Sequence, residues 1–351
     1  MTQIDCAVRG RLLYLDAVRG FAMICIVLGH LGIAVINRFV FTFHLPIFYL
    51  ITGYFINKTG SYREFARKKI RTLIVPYAFT CAVMILLAVL MQKALEGSGG
   101  KAVLIKWVRA SLYAAGDNYQ DPFYIPGIGA IWFLWSTFWG ALLLRWLTEK
   151  TAGVRIAAVL VLLFVTESSR KLFWFPLSIQ TAGTALMFMY FGYLFREAKP
   201  QLERISLEGK AAGFLFACFM WSEFVAHFKS FWLVHADLGR GIGDIAASLC
   251  ACGILLVLFR DLEEKRVPGI RQLAFIGRYS IMMLCAHIIE LNLFPWYKLQ
   301  ELLMILGIRE DSCIYFIIGG KLIWSVVMTW ILAHCSITRR IFGFSPDHEK
   351  V

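Results

Sequence analysis

The chain has 351 residues, of which 59% are hydrophobic and 17% charged, and its mean hydropathy is +0.66. A soluble domain carries about 25% charged residues, so the composition excludes an ordinary water-soluble globule and fits a chain solvated by lipid. The net charge of +13 does not imply nucleic acid: basic residues are not interleaved with aromatics, and basic loops beside anionic headgroups account for the excess.

Ten apolar runs long enough to span a bilayer occur near 12–36, 39–57, 72–92, 128–147, 154–168, 179–195, 211–228, 241–259, 273–295 and 313–335. The first carries Asp16, Arg19 and His30 without a convincing cleavage site, so it is expected to be retained as a span. With the N-terminus inside, the inner segments hold 23 Lys and Arg and the outer ones 11. The inner set includes Arg9, Arg11, Lys68, Arg71, Arg278 and Lys350, and the outer set includes Lys171. This asymmetry predicts cytoplasmic termini and an even number of spans. The expected fold is therefore an all-α integral membrane protein of about ten transmembrane helices, forming a single domain over 1–351. The stretch 93–127 reads as a long, irregular outer loop rich in turn residues from Gly116 to Pro122. No internal repeat is visible. The nine cysteines are scattered, most of them within apolar runs, and Cys250-Ala251-Cys252 is too closely spaced for a metal knuckle. No metal site is expected.

An ionisable group inside a bilayer is costly and needs a reason. Arg19 and His30 are eleven residues apart; at about 100° per residue they share a helix face, about 16 Å apart along the axis. Asp16 lies one i,i+3 step from Arg19 and is placed to pair with it. The second run opens with Phe43-His44-Leu45-Pro46. A tight hairpin would bring His44 to the height of His30, where two imidazoles could supply a general base and an orienting or oxyanion-stabilising group. The basic run Tyr62–Arg71 follows, and it either fixes topology or attracts the phosphates of a nucleotide donor. No Ser, Cys or Lys is paired with a base in sequence, which favours direct transfer over a covalent intermediate. Cys25 is read as a packing residue.

These residues resemble the acyltransferase-3 family of membrane acyltransferases. The likeness lies in Leu15-Asp16-Ala17-Val18-Arg19-Gly20, the spacing of Arg19 and His30, Phe43-His44-Leu45-Pro46 with Gly53-Tyr54-Phe55, and Lys68-x-x-Arg71 leading to Pro76-Tyr77. Weaker landmarks follow in order at Ile131–Leu134, Phe191-Gly192-Tyr193, and Ile276–Ser280 with His287. The resemblance implies a ten-helix bundle in a bacterial plasma membrane that moves an acyl group, usually acetyl, from acyl-CoA to a hydroxyl, most often of a sugar in a surface glycan. It implies His30 as catalytic base, Arg19 holding donor or site geometry, and Lys68 and Arg71 contacting the CoA end. Where the family often has Arg-x-x-Arg, this chain has Lys68, a point charge in place of a bidentate fork.

Trp132 and Phe133 are expected to line an acceptor path, because aromatic faces suit sugar rings. Glu223, His227, His235 and Asp237 read as an outer polar edge or pocket. His287 and Glu290 are read as a structural hydrogen bond, Lys321 as a residue that snorkels or pairs within the bundle, and His334 and His348 as residues without a role. The rival reading is a transporter or flippase for a lipid-linked sugar, with buried Arg and His binding substrate or relaying protons; the lack of repeats weighs against it.

Overall fold

The computed structural model describes residues 12–121, 123–170 and 172–344. Arg9, Arg11, Pro122, Lys171, His348 and Lys350 lie outside the described residues. The described chain is helical throughout, apart from one isolated antiparallel bridge between Tyr119 and Ile125. It begins with α1 (Leu13–Gly29), the short α2 (Ala34–Val40) and α3 (Pro46–Phe55). Next come α4 (Tyr62–Lys69), a π turn at Ile70–Ile74, α5 (Val75–Glu96) and α6 (Gly100–Tyr113). The middle of the chain forms α7 (Trp132–Leu147), α8 (Ala152–Ser169), α9 (Ala182–Glu203), α10 (Leu207–Ala226) and α11 (Ile242–Glu264). The last third forms α12 (Ile270–Arg278), α13 (Ser280–Leu293), α14 (Trp296–Ile305), α15 (Glu310–His334) and α16 (Ser336–Ile341).

Among the described residues, four helical stretches are long and apolar enough to cross a membrane: Tyr62–Glu96, Ala152–Ser169, Ile242–Glu264 and Glu310–His334. α12 and α13 make a fifth, bent by 75° at their junction. Their surfaces suit lipid: α8 buries Val159 and Thr166 but exposes Leu160, Val161, Phe164 and Val165. This is a multi-pass membrane protein.

Each apolar run read from the sequence contains helix, but two stretches differ from expectation. Run 39–57 is broken: α2 ends at Val40, the chain turns through Phe41–Leu45, and α3 starts at Pro46. Proline suits a helix's first turn, where no amide donor is needed, and it disfavours helix in the residue before it. Stretch 93–127 is not irregular throughout, because Gly100–Tyr113 forms α6, which buries Trp107 and Ala110. Only the remainder beyond Tyr113 has the expected turn-rich form.

Lipid tails give helices no hydrophobic drive to associate, so small residues that admit close backbone approach carry the packing. Two glycine pairs do this here. A Cβ on Gly277 would lie 1.7 Å from the Asp16 carbonyl oxygen, and one on Gly20 would lie 1.9 Å from that of Leu273. These contacts lock α1 against α12. In the same way Gly53 meets Met189 and Gly192 meets Leu50, which locks α3 against α9.

Hydrogen bonds between loops define two ends of the bundle. At the basic end, Arg145 is buried and its Nη2 donates to the carbonyls of Lys58 (3.3 Å) and Gly60 (2.9 Å). Arg196 donates to the carbonyls of Tyr54 and Ile56. Arg196 thereby caps α3 at its C-terminal end, where a helix leaves carbonyls unsatisfied, and Arg145 holds the loop that follows. Glu263 Oε2 accepts from the Tyr14 amide (2.9 Å), a carboxylate at the N-terminus of α1. At the opposite end, Ser178 Oγ donates to the Ala114 carbonyl, Trp221 Nε1 donates to Thr42 Oγ1 (2.9 Å), and Tyr119 Oη lies 3.0 Å from His235 Nδ1. His30 and His44 sit toward this second end, and Lys68 and Arg71 toward the first.

Candidate active site

α1 ends at Gly29, and His30 is its C-cap (φ −84°, ψ 5°). His30 Nδ1 lies 2.8 Å from the Ile26 carbonyl and 3.3 Å from His287 Nε2. The two ring centroids are 5.1 Å apart. Since a carbonyl can only accept, Nδ1 carries the proton. Nε2, with no hydrogen bond among the described residues, then holds the free lone pair.

Behind this ring stands a buried polar chain. His287 is fully buried, and its Nδ1 is 2.9 Å from Glu290 Oε2. Glu290 Oε1 accepts from Lys321 Nζ at 2.6 Å and also from Trp296 Nε1. Lys321 Nζ lies 4.9 Å from the Trp296 ring centroid as well. Four helices, α1, α13, α14 and α15, meet through these side chains. The i,i+3 spacing of His287 and Glu290 was legible as a local bond, but the contacts to His30 and Lys321 were not. Three ionisable groups in otherwise apolar helices were the available signal, since each needs a partner at bilayer depth.

His44 makes no hydrogen bond to His30, although it lies within electrostatic reach of it. Its Nδ1 faces the Val40 carbonyl at 2.7 Å, and its ring centroid lies 5.0 Å from that of Phe41. The expected tight hairpin is absent because α2 lies between α1 and α3. The imidazole that hydrogen-bonds to His30 is His287.

Arg19 sits 4.0 Å from Asp16 Oδ1, with a quarter of its side chain accessible and its Nε buried. Within the basic run, α4 starts with a capping box between Ser61 and Glu64 and ends in Arg67, Lys68 and Lys69. Lys69 lies within electrostatic reach of Arg19 and packs its ammonium over Phe65 (5.5 Å). Lys68 and Arg71 are exposed, Arg71 within the π turn. π segments are often found at functional sites. Arg278 sits at the break between α12 and α13, 5.4 Å from the Tyr279 ring centroid, and its buried Nε has no hydrogen-bond partner among the described residues. Arg19 and Arg278 thus flank the Gly20–Gly277 crossing. From the sequence, Arg278 stands as an inner charge and as part of the landmark Ile276–Ser280, not as a partner of this crossing.

Trp132 and Phe133 are both buried. Phe133 packs against Tyr49 (4.9 Å) and Phe48 (5.8 Å), and the Gly116 turn sits directly on the Trp132 indole. The outer polar residues form separate sets. Glu223 pairs with His227 (3.2 Å), while His235 Nε2 faces Asp117 Oδ2 (3.3 Å) and its Nδ1 faces Tyr119. Burial, with the Asp117 charge next in weight, raises the pKa of the Tyr119 phenol, so it stays a hydroxyl donor. Asp237 Oδ1 accepts from the Gly239 amide. Cys25 is a buried free thiol, and among the described residues no cluster of side chains could hold a metal ion. An open apolar groove of about 290 Å³ between α3, α9 and α11, lined by Leu50, Phe191, Phe195 and Leu256 among others, lies apart from this chemistry.

A family model described as an acyltransferase domain, acyltransferase 3, matches residues 12–338. The chain belongs to the acyltransferase-3 family. No curated protein and no solved structure matches it.

Proposed function

We propose that this acyltransferase-3 protein transfers an acyl group, acetyl in the first instance, from acyl-CoA to a hydroxyl of a sugar in a surface glycan or its lipid-linked precursor. The observation that carries this reading is the state of His30: Nδ1 is held by the Ile26 carbonyl and His287, and Nε2 has no hydrogen bond among the described residues. An imidazole in that state can take the proton of a hydroxyl as its oxygen attacks a thioester carbonyl. Basic residues at the other end of α1 suit a phosphate-bearing donor. In this reading Arg19, Lys68 and Arg71 hold the CoA end, with both termini cytoplasmic in a bacterial plasma membrane and ten helices crossing. The pantetheine arm, long and thin, then spans the roughly 16 Å from Arg19 to His30. His44, within electrostatic reach of His30, enters as a second imidazole near the acceptor. Trp132 and Phe133 form the wall under the outer loop, and an acceptor would reach Trp132 only with the Gly116 turn displaced.

The test is thermal stabilisation of the purified protein by acetyl-CoA, compared with CoA and an unrelated nucleotide. It is run on wild type, Arg19→Ala and Arg71→Ala. Selective stabilisation by acetyl-CoA, weakened in either variant, supports the reading. Folded protein that responds to no acyl-CoA of any chain length contradicts it.

A further inference from the structure

Resting on the acyl-transfer reading above, we propose that His287 and Glu290 are the positioning pair of the acyl-transfer base, holding His30 in the tautomer that leaves Nε2 free and stabilising the imidazolium it becomes. Lys321 and Trp296 fix Glu290 in turn.

The hydrogen-bond inventory leaves one self-consistent arrangement. Glu290 Oε1 is occupied by Lys321 Nζ and Trp296 Nε1, which leaves Oε2 for His287 Nδ1. An ionised carboxylate only accepts, so His287 Nδ1 carries the proton and His287 Nε2 presents a lone pair. That lone pair faces His30 Nδ1 at 3.3 Å, so the His30 proton is held on Nδ1, shared between His287 and the Ile26 carbonyl. A nucleophile-activating base oriented by a second group, itself oriented by a carboxylate, follows the logic of catalytic triads.

A purely structural tie needs less. Lys321 and Glu290 alone would satisfy one another, and an apolar residue at 287 would fill the same space without a buried polar ring. Instead His287 is 0% exposed, and both of its nitrogens are spent, one on Glu290 and one on His30. Burying such groups in a bilayer is costly and calls for a use.

The chemistry balances without moving a proton along the chain. The acceptor hydroxyl proton passes to His30 Nε2 as its oxygen bonds to the thioester carbonyl carbon. When the tetrahedral intermediate collapses, the C–S bond breaks and the Nε2 proton passes to the departing sulfur. Ester and thiol are formed, and His287 and Glu290 end as they began. Their contribution is orientation and charge, so they are positioning residues.

The experiment compares kcat and donor KM with thermal melting for Glu290→Gln, Glu290→Asp, His287→Gln and the double variant Glu290→Gln/Lys321→Met. His30→Gln runs alongside. Glu290→Gln leaves Lys321 buried and unpaired, so it lowers melting; the double variant removes that charge and restores melting. The expected kcat loss is about 10²–10³-fold in Glu290→Gln, His287→Gln and the double variant, with donor KM unchanged within about threefold. Glu290→Asp should keep about tenfold more kcat than Glu290→Gln, since it retains the carboxylate. If kcat returns together with melting in the double variant, or His287→Gln turns over like wild type, the pair is only structural and the proposal is overturned. His30→Gln separates the two levels: its inactivity beside active Glu290 and His287 variants sinks the positioning role alone, whereas its full activity sinks the base reading itself.

Discussion

Gly277→Ala tests whether the α1–α12 crossing sets the geometry of the site. A Cβ at 277 would fall 1.7 Å from the Asp16 carbonyl oxygen and 2.7 Å from the Gly20 amide nitrogen, where real contacts essentially never fall below 3.0 Å. Both neighbours are backbone, so no side chain can turn away, and the helices must separate by at least the missing 1.3 Å. Overpacking of this kind costs about 1–3 kcal/mol. Alanine's better helix propensity offsets at most about 1 kcal/mol. The displacement also reaches function, because α12 leads directly into α13, which carries His287 at 3.3 Å from His30. A shift of about 1 Å at a reacting group can cost about 10²-fold in rate. Gly213→Ala in α10 is the control, since a Cβ there meets nothing within 4 Å. In detergent, Gly277→Ala should melt well below wild type and lose turnover, while Gly213→Ala matches or slightly exceeds wild type in melting. Equal melting and turnover for both variants would refute the reasoning.

Arg145→Ala should destabilise by about 2–3 kcal/mol, the scale for losing hydrogen bonds from a charged group; the check is a lower melting point with faster proteolysis at Lys58–Gly60, whose carbonyls lose their donor. Lys69→Ala should raise donor KM at least as much as Lys68→Ala, because Lys69 lies in the field of Arg19 while Lys68 is exposed; steady-state kinetics on both variants decide the order. Single cysteines replacing Lys68 and Asp117 should react with a membrane-impermeant reagent from opposite sides, Lys68→Cys only after the cytoplasm is opened; labelling of both from one side would refute the proposed orientation.

Helix positions were legible because apolar length and punctuation by Gly, Pro and charge act locally. α2 and α6 were missed for opposite reasons. Run 39–57 looked continuous although Pro46 favours a fresh helix start, whereas 100–113 looked like loop because Lys101, Lys106 and Arg109 punctuate its apolar face. At the site, Arg19 and His30 stood out as charges in an apolar span. The partner of His30 did not, since His287 is 257 positions away and the contact depends on how α13 packs beside α1. That Lys69 lies in the field of Arg19 depends equally on tertiary packing, because adjacent helix residues point about 100° apart and only the bundle decides which one faces Arg19.

Thiol release from acetyl-CoA by native membranes holding the protein and their own glycan lipids, with wild type beside His30→Gln at matched protein levels, tests the base assignment most directly. The expected result is loss of protein-dependent thiol release by about 10²–10⁴-fold in His30→Gln, with acetyl-CoA still stabilising the folded variant. Undiminished thiol release by His30→Gln would contradict the assignment of His30 as the base.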